Sequence, residues 1–400
     1  MCYTFTMDKI EELLTRGVEK IYPSKAELEK ILRSGKKLKL YYGIDPTGEL
    51  HIGHMVVLKK VRQFQDLGHE IIILIGDFTA TIGDPTDKKA TRQPLTREQV
   101  LQNAKDYNTH IGKILDLKKS NIRFLHNEEW TNKLKPIDLL EIASHFTVAR
   151  LLERDMFQER IKEGKEIYLH EFLYPIFQAY DSVTMDVDME IGGNDQTFNM
   201  LAGRDLMYRM KKKNKFVMAT SLLTDAQGIK IGKTEGNAIA IANKPKDLFA
   251  KIMSLPDEVT LKGFEYLTDV SMEEIKRISE SLSNGENPVI HKKRLAFEIV
   301  KQLNTSEAAK KAQENFEQTV QGEKLPDDIP VFQYNGGKDI VHLLVEAKLA
   351  GSRSDAKRLI EQGGVSIDNK ILNANEQITP KENSIIRVGK RKFVKIKITR

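Results

Sequence analysis

The chain has 400 residues, 40% of them hydrophobic, with 63 Lys+Arg against 57 Asp+Glu, a balance that suits a protein of two or three folded domains. It contains no run of 18 uninterrupted apolar residues, so a transmembrane helix is not expected, and Met1–Met7 lacks the basic and apolar segments of a signal peptide. Cys2 is the only cysteine, which excludes an internal disulfide and a cysteine-held zinc, leaves no structural metal expected, and fits a reducing, cytoplasmic compartment.

In chain order, Asp8–Leu14 has helical spacing, and Ser24 can cap a helix over Lys25–Ser34. Leu38–Ile44 reads as a strand, Asp45–Gly48 as a Pro/Gly turn, and Ile52–Leu67 as an amphipathic helix ended by Gly68. Glu70–Gly76 is continuously apolar, as a strand covered on both faces must be. Strand, helix and strand in that order make one βαβ unit and predict a doubly wound α/β domain with a parallel sheet. Residues 136–182 read as mostly helical, Asp186–Glu190 as a strand entering Gly192-Gly193, and Pro245–Asn315 as a separate helical domain. Residues 322–337, with two prolines and three glycines, read as a linker. Asp339–Gly363 reads as two short helices and Val365–Thr399 as short alternating strands.

Charge is distributed unevenly. Residues 335–400 carry 14 Lys+Arg against 7 Asp+Glu, and the other 334 carry 49 against 50. A basic terminal module on a near-neutral body fits a polyanionic partner such as nucleic acid, or a solvated surface.

Two motifs carry chemistry. His51-Ile52-Gly53-His54 stands where the first strand hands over to its helix, the place where unpaired N–H groups and the helix dipole favour phosphate. Lys230-Ile231-Gly232-Lys233-Thr234 lies in a polar stretch after Ser221-Leu222-Leu223. Two lysines three apart can stabilise a pyrophosphate leaving group, or can simply face solvent. On a helix, Tyr174, Gln178 and Asp181 share one face, as a solvent stripe, a buried network or a pocket wall.

Together the two motifs resemble the signatures of class I aminoacyl-tRNA synthetases. The second departs from that pattern at Ile231, Gly232 and Thr234, but keeps both lysines and a hydroxyl. Tyr41 ahead of Gly43-Ile44-Asp45-Pro46-Thr47, with Tyr174, Gln178 and Asp181, resembles the tyrosyl-tRNA synthetases. The resemblance implies a Rossmann-like catalytic domain (1–245), a helical anticodon-binding domain (246–325), a linker (326–337) and a small α+β S4-like RNA-binding domain (338–400). It assigns Tyr41 and Asp181 to the substrate hydroxyl, and Tyr174, Gln178 and Asp84 to the α-amino group. Thr79 and Gln196 would line the tyrosine site. Asp195 and Gly192 would meet the ribose, Asp45 the adenylate and amino group, and Gly43, Gly53, Leu223 and Lys233 the ATP. His51, His54, Thr47, Lys230, Lys233 and Thr234 would stabilise the transferring phosphate; Lys88 and Arg92 are either further pyrophosphate contacts or an exposed basic loop.

Ser352–Asp368 is similar to the S4 RNA-binding domain, with Ser352 or Ser354 as helix cap and Arg353, Lys357 and Arg358 facing phosphates. The implied substrates are L-tyrosine, ATP with Mg2+, and tRNA(Tyr). The implied assembly is a homodimer without membrane contact. Leu151, Leu152, Met156 and Phe157 are either its contact or ordinary core, and Lys211–Lys215 reads as a solvated turn or an acceptor-stem contact. Rival readings are the related tryptophan enzyme, opposed by Tyr41 and Asp181, an RNA-binding protein on an inactive synthetase scaffold, opposed by the intact His and Lys pairs, and a metabolic nucleotidyltransferase, which would have no use for the RNA-binding tail.

Overall fold

The computed structural model describes residues 8–85, 95–231, 239–321, 329–334, 339–368, 370–372, 380–389 and 392–398. Lys88, Arg92, Lys233 and Thr234 lie outside the described residues. The chain divides into two compact units, 1–310 and 311–400.

The first unit is built on a six-stranded sheet: β1 (Val18–Tyr22), β2 (Lys39–Ile44), β3 (Glu70–Ile75), β4 (Ile122–His126), β5 (Met189–Gly193) and β6 (Phe216–Thr220). The spatial order is β1-β6-β5-β2-β3-β4. Five strands are parallel, and β1 adds an antiparallel edge against β6. The apolar run of β3 has its reason here: Ile71 to Ile75 are all buried, between β2 and β4.

Chain order moves outward from β2 through β3 to β4, then returns to the opposite side of β2 with β5 and β6. That reversal puts a crevice at the carboxyl ends of β2 and β5, where open α/β sheets bind ligands. Helix Ile52–Asp66 links β2 to β3 and packs on β3, β5 and β6. Helices Leu169–Met185 and Thr197–Lys211 pack on each other and share a core with Tyr41, Ile72 and Leu74. Five further helices, from Pro245–Met253 to Ser306–Gln321, follow β6.

Some elements differ from expectation. Strand β5 begins at Met189 rather than Asp186, because Asp186 takes a left-handed conformation (φ 50°) that closes the preceding helix. Strands β1, β4 and β6 have no strong alternating signal, and tertiary pairing forms them. The basic turn Lys211–Lys215 is solvated at Lys211 and Lys212, but Lys215 is fully buried. Leu151 and Phe157 belong to the core. No helix among the described residues is long and apolar enough to cross a membrane.

The second unit holds a sheet of order β7-β11-β10-β8-β9, formed by β7 (Val331–Tyr334), β8 (Val365–Ile367), β9 (Lys370–Ile371), β10 (Ile385–Val388) and β11 (Lys392–Ile398). Within 326–337, read as linker, Val331–Tyr334 instead pairs parallel to β11. Helices Ile340–Glu346 and Arg353–Glu361 pack on each other, and their Leu343, Leu344, Ala356 and Ile360 join Val365, Ile386 and Ile396 in the core. Ser352, not Ser354, caps the second helix, its hydroxyl accepting from Asp355 N at 3.1 Å. Arg353, Lys357 and Arg358 are all exposed on that helix.

Candidate active site

A cavity opens at the β2/β5 reversal, and every described residue expected at the amino-acid and nucleotide sites lines it. The helical face predicted for Tyr174, Gln178 and Asp181 is real: all three stand on Leu169–Met185 and line the cavity.

At the buried end, Tyr41 is 1% exposed and its hydroxyl lies 3.0 Å from Ser182 Oγ. Asp181 is 2% exposed and accepts from Trp130 Nε1 at 2.8 Å and from Asn127 Nδ2 at 3.2 Å. The same Asn127 amide donates to Thr79 Oγ1 at 3.1 Å, and Thr79 donates to Asp45 Oδ1 at 2.7 Å. Tyr174 donates to the other Asp45 oxygen at 2.9 Å. Gly76 makes room for this cluster: a Cβ there would stand 2.0 Å from Asp45 Oδ1 and 2.5 Å from Thr79 Oγ1.

Tyr174 is therefore joined to Asp45, and Gln178 donates to Glu190 at 3.0 Å. Asp84 is held elsewhere, by Arg154 at 3.2 Å and by Gln196 Nε2 at 2.6 Å. Burial pushes the Asp45 carboxyl up to about 7, with the charges of Asp84 and Asp77 adding to it against the Thr79 and Tyr174 hydrogen bonds. Burial likewise pushes Asp181 up to about 8, opposed by its bonds from Trp130 and Asn127 and reinforced by Glu190 and Asp45. Five carboxylates line the cavity, those of Asp45, Asp84, Asp181, Glu190 and Asp195. Those of the five that are ionised favour a cationic group such as an ammonium.

Another part of the cavity is organised by His51 and His54. His51 caps helix Ile52–Asp66 by accepting from Gly53 N at 3.1 Å, and His54 Nδ1 accepts from His51 N at 3.1 Å. Each Nδ1 is an acceptor, so each neutral ring carries its hydrogen on Nε2, a donor suited to phosphate oxygen. The ring centroids lie 4.0 Å apart. Lys230 reaches Asp195 at 2.6 Å. Ile231 N bonds Leu223 O, and Ile52 N bonds Ile239 O. Both residues flanking the stretch that contains Lys233 and Thr234 are thus anchored beside the first motif.

Sequence reading gives no role to Asn127, Trp130, Arg154, Ser182 or Glu190, and takes Lys215 only as part of the Lys211–Lys215 turn. Asn127 directly follows β4 and so falls at the ligand edge of the sheet, but that strand carries no strong alternating signal in the sequence. Arg154 has no local signal either. Its guanidinium lies within 5.6 Å of the Phe157 and 5.3 Å of the Phe198 ring centroids, a setting assembled from separate elements.

Residues 33–321 match the family model of class I tRNA synthetases (W and Y), and residues 321–396 match that of the tyrosine–tRNA ligase SYY-like C-terminal domain. The chain is 43% identical to the tyrosine–tRNA ligase of Thermotoga maritima, covering 98% of each chain. It is 44% identical to that of Methylococcus capsulatus, covering 98% of this chain and 99% of the other. Among solved structures it resembles tyrosyl-tRNA synthetase of Archaeoglobus fulgidus complexed with L-tyrosine, with a TM-score of 0.59 and 22% identity over 76% of this chain and all of the other, a likeness of fold. With residues 33–396 matched by the two family models and near-full-length relatives at this identity, the protein belongs to the tyrosine–tRNA ligase family of class I aminoacyl-tRNA synthetases.

Proposed function

We infer that the protein activates L-tyrosine with ATP and transfers it to the terminal adenosine of tRNA(Tyr). The observation that carries this reading is that a buried phenol and a buried carboxyl group, Tyr41 and Asp181, line the same acidic cavity. A phenol hydroxyl between them would gain two further partners that phenylalanine cannot use. Tyrosyl-tRNA synthetases are themselves the standard illustration of that rule. Asp45, Tyr174, Gln178 and Asp84 would surround the α-ammonium.

The chemistry asks for placement and charge stabilisation. The substrate carboxylate attacks the α-phosphorus in line, forming tyrosyl-adenylate and releasing pyrophosphate. No covalent enzyme intermediate is required. ATP would enter as its magnesium complex. The Nε2–H groups of His51 and His54, with Thr47, Lys230, Lys233 and Thr234, would stabilise the transferring phosphate. Lys230 occupies Asp195 here, so binding of the ribose hydroxyls to Asp195 would release Lys230 toward pyrophosphate. The ribose hydroxyl of the tRNA terminus then attacks the adenylate carbonyl and AMP leaves. Arg353, Lys357 and Arg358 would contact RNA phosphates, so tRNA binding should weaken as salt rises.

We also propose that the enzyme works in the cytoplasm as a homodimer. Ile137, Leu140, Val148 and Leu169 are exposed large apolar residues within one stretch of the chain, and burying such residues favours association. Sedimentation should give a dimer that Leu169→Glu weakens, and a monomeric wild-type chain would remove the homodimer.

The reading is tested by ATP–pyrophosphate exchange with each of the twenty amino acids, without tRNA. Exchange with tyrosine alone is expected. Exchange with tryptophan instead would overturn the roles given to Tyr41 and Asp181, and no exchange at all would overturn the activity.

A further inference from the structure

Lys215 ends a lysine-rich turn and is nevertheless 0% exposed. Its ammonium pairs with the Glu190 carboxylate, donates to Ser182 Oγ at 2.8 Å and lies 5.8 Å from the centroid of the Tyr41 ring. Room for it is cut into the facing helix, where a Cβ on Gly203 would stand 2.6 Å from Lys215 Nζ and 2.9 Å from Ser182 Oγ. Glycine inside a helix costs about 1 kcal/mol against alanine, so a close approach here gives it a reason. Tyr41 and Glu190 are direct partners across β2 and β5.

The chemistry of these groups sets directions. An ammonium has only donors, so Ser182 Oγ must accept from Lys215. The Ser182 hydrogen is then available to Tyr41 Oη, 3.0 Å away, and donating it there would leave the Tyr41 hydrogen for another acceptor, Glu190 or the substrate. On the other side, Glu190 accepts the Gln178 amide nitrogen at 3.0 Å. That commits Gln178 Oε1, a buried atom which accepts no hydrogen bond from the described residues, to the opposite side. Gln178 lines the cavity.

Building on the tyrosine reading above, we propose that Lys215 is the positioning residue of the amino-acid site: through Ser182 it turns the Tyr41 hydroxyl toward the substrate phenol, and through Glu190 it turns the Gln178 carbonyl toward the substrate ammonium. One buried charge thereby orients both recognition ends at once. Burial presses the Lys215 ammonium toward neutrality, and Glu190 opposes it.

The test uses the full chain in ATP–pyrophosphate exchange, with KM for tyrosine and for ATP, kcat, tyrosine-against-phenylalanine selectivity and thermal melting. Lys215→Met alone strands a buried carboxylate and is expected to fold poorly. The informative variants are Ser182→Ala, the double variant Lys215→Met/Glu190→Gln, and each of these with Tyr41→Phe. Ser182→Ala and the double variant should raise tyrosine KM by about 10- to 100-fold and lower selectivity, with ATP KM within about twofold and melting preserved. The effect of Ser182→Ala should vanish in the Tyr41→Phe background, because Ser182 acts through that hydroxyl. Wild-type tyrosine KM in both variants, or an undiminished Ser182 effect without the Tyr41 hydroxyl, would overturn the proposal while leaving the function intact. A wild-type protein that exchanges no tyrosine would overturn both.

Discussion

Replacing Asp181 by asparagine removes one ionisable group and changes little in shape. Asp181 uses both carboxylate oxygens, one for Trp130 Nε1 and one for Asn127 Nδ2. Asparagine offers one acceptor, so a buried donor loses its partner at a cost of about 1–3 kcal/mol. Against that stands the charge. Burial raises the Asp181 carboxyl from 3.8 to about 8, so between these values the native state holds a proton that the unfolded chain has released. More protons in the native state mean stability that falls as pH rises, by about 6 kcal/mol across the window. Asparagine does not titrate. Asp181→Asn should therefore be less stable than wild type near pH 4 and more stable near pH 8, with the two curves crossing between. Trp130 is the only tryptophan of the chain and touches Asp181, so its fluorescence reports both urea unfolding and the titration of the folded protein. Folded wild type should show a transition near pH 8 that Asp181→Asn lacks. A stability difference independent of pH, or the same fluorescence transition in both proteins, would refute the reasoning.

Three further outcomes follow from the geometry. His54→Ala should lower kcat for tyrosine activation by about 10²–10³-fold if its Nε2–H meets the transferring phosphate, and should cost about 0.5–2 kcal/mol in urea unfolding through the lost cap. Gly76→Ala must displace the Asp45 carboxylate and Thr79 hydroxyl, so tyrosine binding measured by calorimetry should be lost while the protein still melts cooperatively. Lys60, buried with its ammonium donating to Leu13 O at 2.8 Å, is pushed down to about 7 by burial and then by the charge of Arg16. Below that pH the native state holds the buried charge at full cost, and the cost fades as pH rises to 10.5. Lys60→Met should thus melt higher than wild type at pH 7, by an equivalent of about 4–5 kcal/mol, and the gap should close toward pH 10.5.

Local spacing carries much of this protein in its sequence. The apolar run Glu70–Ile75 needs no partner to be read as a buried parallel strand. Ser24 and Ser352 announce their helices because a cap is made by residues a few positions apart. Tyr174, Gln178 and Asp181 share one helical face by periodicity alone, and the glycines and histidines of the nucleotide site are likewise close in the chain. These signals place the cavity-lining residues on the elements that carry them.

Which groups touch was decided by tertiary structure alone. Tyr174 meets Asp45, Gln178 meets Glu190, and Asn127 joins Asp181 to Thr79, each across a separation that periodicity does not reach. Strands β1, β4 and β6 exist because neighbours pair with them. Lys215 is the clearest case: among the lysines of its turn nothing local marks it as different, and only the convergence of Glu190, Ser182 and the gap at Gly203 makes burial of its charge tolerable. Sequence spacing determines which face of an element a side chain occupies, whereas burial, pairing and proton affinity depend on what the remaining chain brings against that face.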